Sequence, residues 1–437
     1  MRRIPNNAQG IEMKMNSLTH WLTKRSNGNR LAEIVWNAAG SGMMAVQAAV
    51  LLIFIAAKYS LTVAGIVTIA YAIANLLMTF ANYGVRTFQV TDQKEQFLFS
   101  DYLYARFITV AVSLAAALFF VLIKISSGTY DTTKAMIVLE ITALKLVDSV
   151  GDVFHGRYQQ LDRFISAARI QTIQQFSATG LICLLIACDC PIEAAFAAGI
   201  ALSALLLAFL IRSSFRAVDD SAVSPFCVAS VLSLLKKCLP LCIGTSLAIY
   251  VGNIPKYAID AMLGEEKQAI FGYLMLPVFV VTLLNQFIYL PFVKDLGDLW
   301  AEGDVTRFRR RIFFQCGVVA GLSVLILLVG YTIGLPILSW MYRVELRPFG
   351  KEFVILLLGG SMYSLAYYLT VPITTIRKQR YIAFGFVAAA LFSLATQRFF
   401  ITRFDMAGAA WLYVLANLIL LTGYIVVLVR EIRKQRE

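Results

Sequence analysis

Lys145 and Lys256 each interrupt an apolar stretch long enough to cross a bilayer, and each has an aspartate one helical turn further on. The stretch around Lys145 also carries Glu140, Asp148 and Asp152. At 100° per residue, Lys145, Asp148 and Asp152 fall within roughly 60° of one another on one helical face. Lys145 and Asp148 are i,i+3 neighbours, and Lys256 and Asp260 are i,i+4 neighbours, so both pairs can meet on a helix surface. A charge at the centre of a membrane helix costs about 2.5–3.5 kcal/mol on insertion scales, so it pairs, lines a water-filled cavity or meets a ligand. The sharper expectation is that both lysines bind an anionic group. Asp148 and Asp260 then pair with the lysines, and the face that carries Lys145, Asp148 and Asp152 lines a water-filled cavity and meets substrate or protons. The alternative is a set of structural ion pairs that let polar helices sit inside a bundle.

Lys256 lies in the run Tyr250-Val-Gly-Asn-Ile-Pro-Lys-Tyr-Ala-Ile-Asp260. Pro255 removes a backbone donor there and is expected to kink the helix. Bent helices at a repeat interface are a common place for a transport site. Four arginines complete the candidate set: Arg86 and Arg106 in the gap 84–106, and Arg157 and Arg163 in the gap 154–169. A guanidinium fork matches phosphate oxygens, which makes these four candidates for a diphosphate, although membrane topology alone also places cations in such gaps. Gln47, Gln174 and Gln175, with Tyr363, Tyr367 and Tyr368, suit either sugars or helix–helix contacts. The 7 Cys and 2 His show no metal spacing, and no nucleophile pairs with a histidine. No catalytic residue, cofactor or metal site is therefore expected.

The elements that must position these residues are apolar helices. At 59% hydrophobic residues and a mean hydropathy of +0.72, the chain lies far above the apolar usage of about 45–50% in soluble domains. A bilayer core requires about 20 residues of helix. Twelve stretches approach that length: 34–57, 63–83, 107–123, 135–153, 170–187, 193–211, 239–263, 270–292, 312–335, 353–376, 381–400 and 407–429. The predicted fold is an all-α integral membrane protein of 12 transmembrane helices. Of 39 Lys and Arg, 28 fall in one alternating set of gaps plus both termini and 8 in the other, which by the positive-inside rule puts both termini in the cytoplasm. The same distribution accounts for the net charge of +13 without any continuous basic domain. Nucleic acid is thus not an expected partner, and anionic headgroups of membrane lipids are a natural one.

The expected organisation is a cytoplasmic tail (1–31), a six-helix lobe (32–211), a cytoplasmic linker (212–238), a second six-helix lobe (239–429) and a short tail (430–437). A faint repeat relates the lobes. Gly40-Ser41 matches Gly244-Thr245, and Arg106 matches Arg311, at nearly constant offset. Parallel duplication of this kind points to a transporter working by alternating access.

Several short runs carry a family likeness: Gly84…Arg86…Gln89…Asp92, Gly156-Arg157-Tyr158-Gln159-Gln160…Arg163, and Pro240…Gly244…Asn253…Pro255-Lys256-Tyr257…Asp260. Phe271-Gly272-Tyr273…Pro277 and Pro336…Tyr342 belong with them. Together with the twelve-span plan, they resemble the bacterial O-antigen and capsule lipid-linked oligosaccharide flippases. These belong to the superfamily that includes the multidrug (MATE) exporters. The resemblance implies movement of an undecaprenyl-diphosphate-linked oligosaccharide from the inner to the outer leaflet of the bacterial inner membrane. It further implies a cationic cavity, coupling to an ion gradient, and a polymerase and chain-length regulator as pathway partners. On this chain it makes Lys145 and Lys256 holders of the diphosphate or of acidic sugars, and Asp148, Asp152 and Asp260 their partners or proton carriers, with Glu140 a further candidate for coupling or pairing. The lipid II flippases of the same superfamily have extra spans that form a lipid groove, and a twelve-span chain departs from that branch. The alternative reading is a drug or cation antiporter on the same fold, for which an acidic cavity is expected. A membrane polymerase or ligase is expected to need a sizeable external loop, which the short gaps do not provide.

Overall fold

The computed structural model describes residues 19–23, 30–92, 95–219, 225–289 and 293–434, without the side chains at 30–34, 37, 216–217, 280–289 and 293–294. Among these residues the regular structure is helical, and no strand occurs. In chain order the helices are α1 (Arg30–Lys58), α2 (Leu61–Asn82), α3 (Val85–Thr91), α4 (Phe99–Ser126), α5 (Thr132–Gln160), α6 (Phe164–Ala187) and α7 (Ile192–Val218). They continue with α8 (Val228–Met262), α9 (Glu265–Tyr289), α10 (Val293–Ala301), α11 (Val305–Val329), α12 (Leu335–Tyr342), α13 (Gly350–Thr375) and α14 (Arg380–Lys434). A π-helical turn, Gly330–Gly334, joins α11 to α12. Asp405, at φ 54° and ψ −133°, breaks α14 into two arms.

Nine helical segments among the described residues are long and apolar enough to cross a membrane. Helix α5 is not one of them, because its charges lower its hydropathy. It is instead the most internally polar helix, with Lys145 and Asp148 both buried. The segment 212–238, expected as a linker, is largely helical: α7 runs to Val218 and α8 begins at Val228. Helix α8 continues without interruption through Pro240 and Pro255.

Local sequence explains the main turns. Tyr83 and Gly84 take φ of 50° and 68°, ending α2 and redirecting the chain into α3. A Cβ on Gly84 would lie 2.6 Å from that of Leu241, so both backbone freedom and close approach call for glycine. Asp131 caps α5 by accepting the Lys134 N–H at 2.8 Å, and Asp304 caps α11 through Arg307 N–H at 2.8 Å.

The chain forms two compact units. The first comprises Met1–Phe54 and Ile73–Cys242, the second Ile55–Ala72 and Ile243–Glu437. In the first, α5 is the central strut and packs against α3, α4, α6 and α7. In the second, α13 holds the same position against α9, α11 and α14 around an apolar core of Leu369, Ile373, Leu412 and Leu420.

Close helix approach in the second unit gives a direct test of its packing. A Cβ on Gly65 would fall 1.8 Å from the Glu265 carbonyl oxygen, whereas one on Gly42 would meet nothing within 4 Å. Gly65→Ala is expected to destabilise the protein by about 1–3 kcal/mol. Gly42→Ala in α1 should leave it unchanged or slightly more stable. Thermal unfolding in detergent measures both, and equal melting temperatures for the two variants would contradict the packing.

Candidate functional site

The first unit holds its charge on one side of α5, in two layers. The deeper layer surrounds Lys145, which is 2% exposed. Its ammonium donates to Gln47 Oε1 at 2.6 Å and lies 3.5 Å from Asp148 Oδ2. Asp148 Oδ1 accepts from Gln175 Nε2 at 2.7 Å and Gln174 Nε2 at 3.3 Å. Gln174 also donates to Ser203 Oγ, and Gln47 to Thr179 Oγ1. Four helices, α1, α5, α6 and α7, thus share one enclosed network. A buried ion pair is tolerable only when neighbouring hydrogen bonds offset the lost hydration, and the glutamines supply them here. Glu140, one turn before this layer, is half-buried, and its Oε2 has no hydrogen-bond partner.

The second layer centres on Asp152, which divides its oxygens between two arginines. Oδ2 accepts from Arg106 Nη2 at 2.8 Å, and Oδ1 from Arg86 Nη1 at 3.1 Å. Arg106 has no exposed surface, and its Nη1 is also bonded to the Ala81 carbonyl, Asn82 Oδ1 and Ser149 Oγ. Arg86 reaches Gln159 Oε1 as well, and 37% of its side chain remains exposed. Two guanidiniums against one carboxylate leave this layer with an excess positive charge. The part of it on Arg86 is accessible.

The remaining arginines of the predicted set are engaged elsewhere. Arg157 pairs with Asp219 at 2.6 Å and with Glu95 at 3.0 Å. Arg163 donates to the Thr23 carbonyl at 2.9 Å, and its neighbour Arg169 donates to the Trp21 carbonyl while stacking over the Trp21 ring. These two fasten the segment 19–23 to the first unit, a use not visible in the sequence. Gln89 and Gly156 pack so tightly that a Cβ on Gly156 would sit 2.2 Å from Gln89 Oε1.

The second unit places Lys256 differently. The side chain is 9% exposed, and its ammonium lies 5.6 Å from the centroid of the Phe279 ring. It makes no ion pair among the described residues, so the expected partnership with Asp260 does not form. Asp260 is half-buried on the same helix. Tyr250 and Tyr257 stack at 5.5 Å on either side of Pro255, and Tyr257 donates to the Ala72 carbonyl. Asn253 returns its side-chain amide to the Ile249 carbonyl at 3.0 Å.

Sequence reasoning named Gln47, Gln174 and Gln175 but left them between sugar binding and helix contacts; here they bond helix to helix. It missed Asn82, Ser149 and Asp219 as partners of Arg106 and Arg157. A lone polar residue, at a helix end as for Asn82 and Asp219 or within a helix as for Ser149, carries no pattern that would single it out. No group of His, Cys, Asp and Glu able to hold a metal occurs among the described residues. Asn285 and Gln286, two further polar residues of the 270–292 stretch that suit sugars or helix–helix contacts, lie outside the described side chains.

No protein-family model matches the chain, and neither does any curated protein. Solved structures do. The lipid II flippase MurJ in an inward-closed conformation aligns with a TM-score of 0.70 at 12% identity, covering 92% of this chain and 90% of its own. A multidrug-resistance MATE family transporter of the MOP superfamily, inward-facing, aligns at 0.58 and 12% identity, covering 93% and 94%. A MOP superfamily transporter from Pyrococcus furiosus, described as having a binding pocket of reversed polarity, aligns at 0.55 and 11% identity, covering 95% and 100%. The fold is therefore that of the MATE-type transporters.

Two expectations arise from these layers. Asp152→Asn leaves the enclosed Arg106 without its counter-charge and should cost about 3–5 kcal/mol. Removing both charges in Arg106→Met with Asp152→Leu should cost less than the sum of the single variants. Strict additivity in this double-mutant cycle would rule out the pairing as a stabilising unit. Asp92, just beyond α3 and outside the membrane-crossing helices, gives a pH test. Burial alone would push its carboxyl pKa up, but the Gln96 N–H, the Tyr102 hydroxyl and the Phe97 N–H donate to it, and Lys237 lies nearby, so it is held below the ordinary range. A lowered folded pKa contributes stability that is complete above about pH 4, near the ordinary aspartate value, and is lost as pH falls through the folded value. The difference in melting temperature between wild type and Asp92→Asn should therefore shrink from pH 6 to pH 3; a constant difference would contradict it.

Proposed function

We propose that the chain is a flippase. It moves an undecaprenyl-diphosphate-linked oligosaccharide from the inner to the outer leaflet of the bacterial inner membrane. Twelve spans in two lobes, 32–211 and 239–429, with both termini cytoplasmic, alternate access through a cationic pathway driven by an ion gradient. It is a transporter and not an enzyme, and it hands its product to a polymerase and chain-length regulator.

The observation that carries this reading is Lys256. An ammonium buried within a membrane-crossing helix, with an aromatic face as its only described partner, is costly unless an anion meets it at some stage of the cycle. Arg86 supplies a second cation, with its fork partly exposed and with Asp152 and Gln159 holding it in place. Lys145, Arg157 and Arg163 become secondary candidates, each released only if its present partners move. Asp148, Asp152, Asp260 and Glu140 are the carboxylates assigned to ion or proton coupling or to pairing. The fold shared with a lipid II flippase supports a lipid-linked substrate.

Structural likeness to multidrug exporters, together with the half-buried Glu140 carboxylate whose Oε2 has no hydrogen-bond partner, favours a second reading as a drug or cation antiporter. One experiment separates the two. Purified protein in liposomes is given a fluorescent undecaprenyl-diphosphate oligosaccharide, and separately ethidium with a proton or sodium gradient. Lys256→Ala should slow glycolipid movement at least tenfold, and Lys256→Arg should retain part of it. Undiminished movement by Lys256→Ala would overturn the assignment of this lysine. Gradient-driven ethidium efflux with no glycolipid movement would establish the antiporter.

A further inference from the structure

A groove of about 930 Å³ opens on the second unit, where the π-helical turn Gly330–Gly334 and α12 lie against the start of α13. The sequence builds it. A π turn inserts an extra residue into a helix and re-aims the helix beyond it, and such turns occur often at functional sites. Here its two glycines are pressed onto α13: a Cβ on Gly330 would lie 2.7 Å from Leu357 Cδ1, and one on Gly334 would lie 3.1 Å from the Phe353 ring. Side chains between the glycines are turned outward, with Tyr331 67% exposed. Short α12 then carries Trp340, the most exposed large apolar side chain among the described residues at 81%.

The walls of the groove are apolar, from Tyr331, Leu335, Pro336 and Val354, while Arg347 and Lys351 stand at its rim. The neighbouring acids offset that rim only in part. Glu345 spends one oxygen on the Arg347 backbone N–H at 3.1 Å and lies 3.9 Å from its guanidinium, with both side chains largely exposed. Glu352 turns its Oε2 into the protein. Lys351 makes no ion pair among the described residues.

Position sets the occupant. The groove lies where two membrane-crossing segments, Val305–Tyr342 and Arg347–Thr375, reach a membrane surface. Exposed aromatic residues belong at that depth, and cations there meet headgroups while their stems cover apolar surface. We propose that this groove binds an anionic phospholipid, its acyl chains along Tyr331, Leu335 and Val354 and its phosphate between Arg347 and Lys351. Neither Lys145, Lys256 nor Arg86 lines the groove, and the proposal does not depend on which substrate the protein moves.

The test uses full-length protein in detergent, titrated with phosphatidylglycerol or phosphatidylcholine, read by melting temperature and by native mass spectrometry. Phosphatidylglycerol should raise the melting temperature more than phosphatidylcholine and leave at least one bound lipid. Arg347→Gln with Lys351→Gln should remove at least half of that excess, and the charge-preserving Arg347→Lys with Lys351→Arg should keep it. Val354→Trp, which fills the groove and leaves both cations in place, should also remove it. All substituted side chains are at least partly exposed, so the unliganded melting temperature should hold, and its value checks that each variant is folded. Full excess in the double glutamine variant, or in Val354→Trp, would overturn the proposal. So would an equal shift with inorganic phosphate alone, which would mark a simple anion site without an acyl groove.

Discussion

A charge carried into apolar helix packing must be met by a neighbour, because neither lipid nor side-chain hydrocarbon can replace its hydration. Helix α5 brings three such charges into the first unit, and the unit is arranged to answer them. Lys145 and Asp148 answer each other, and glutamines from α1 and α6 take up the remaining donors and acceptors. Asp152 answers Arg106 from α4 and Arg86 from α3. One polar line of interactions along a single helix therefore specifies which helices surround it and at what height. Apolar packing alone is indifferent to a slip of one turn, whereas these pairs are not.

The second unit breaks the rule at Lys256. Its ammonium is enclosed to a similar degree as Lys145, yet it faces an aromatic ring in place of a carboxylate. A cation over a ring face recovers about 2 kcal/mol when desolvated, less than a hydrogen-bonded ion pair can supply. Among the described residues, Lys256 is thus less well compensated than Lys145. That difference between the two lysines is the physical ground for assigning a structural role first to Lys145 and a substrate role first to Lys256.

Much of this was legible in the sequence, and the failures have a common cause. Apolar runs of membrane-crossing length marked the helices, since hydropathy is a local property of the chain. The i,i+3 spacing of Lys145 and Asp148 led to a pair that forms. The i,i+4 spacing of Lys256 and Asp260 was equally favourable and led to one that does not, because helical spacing permits a contact without deciding rotamers. The partners of Arg106 were hidden because Ala81, Asn82, Ser149 and Asp152 come from two other helices. Only packing brings them together. Arg163 has the chemistry of a phosphate ligand, but its donor is taken by the Thr23 carbonyl, which a tail of ordinary composition gave no reason to expect.

The faint repeat sharpens the contrast between the units. Arg106 and Arg311 hold matching places in the chain, yet Arg106 is sealed against Asp152 while Arg311 pairs with Asp295 at the surface. The reason lies in the fourth long helix of each half. Helix α5 carries Asp152 where Arg106 can reach it. Helix α13 has no charged residue beyond Lys351 and Glu352 at its start, and its mid-helix Tyr368 hydroxyl bonds to Gln315. With no internal carboxylate to receive it, Arg311 stays outside.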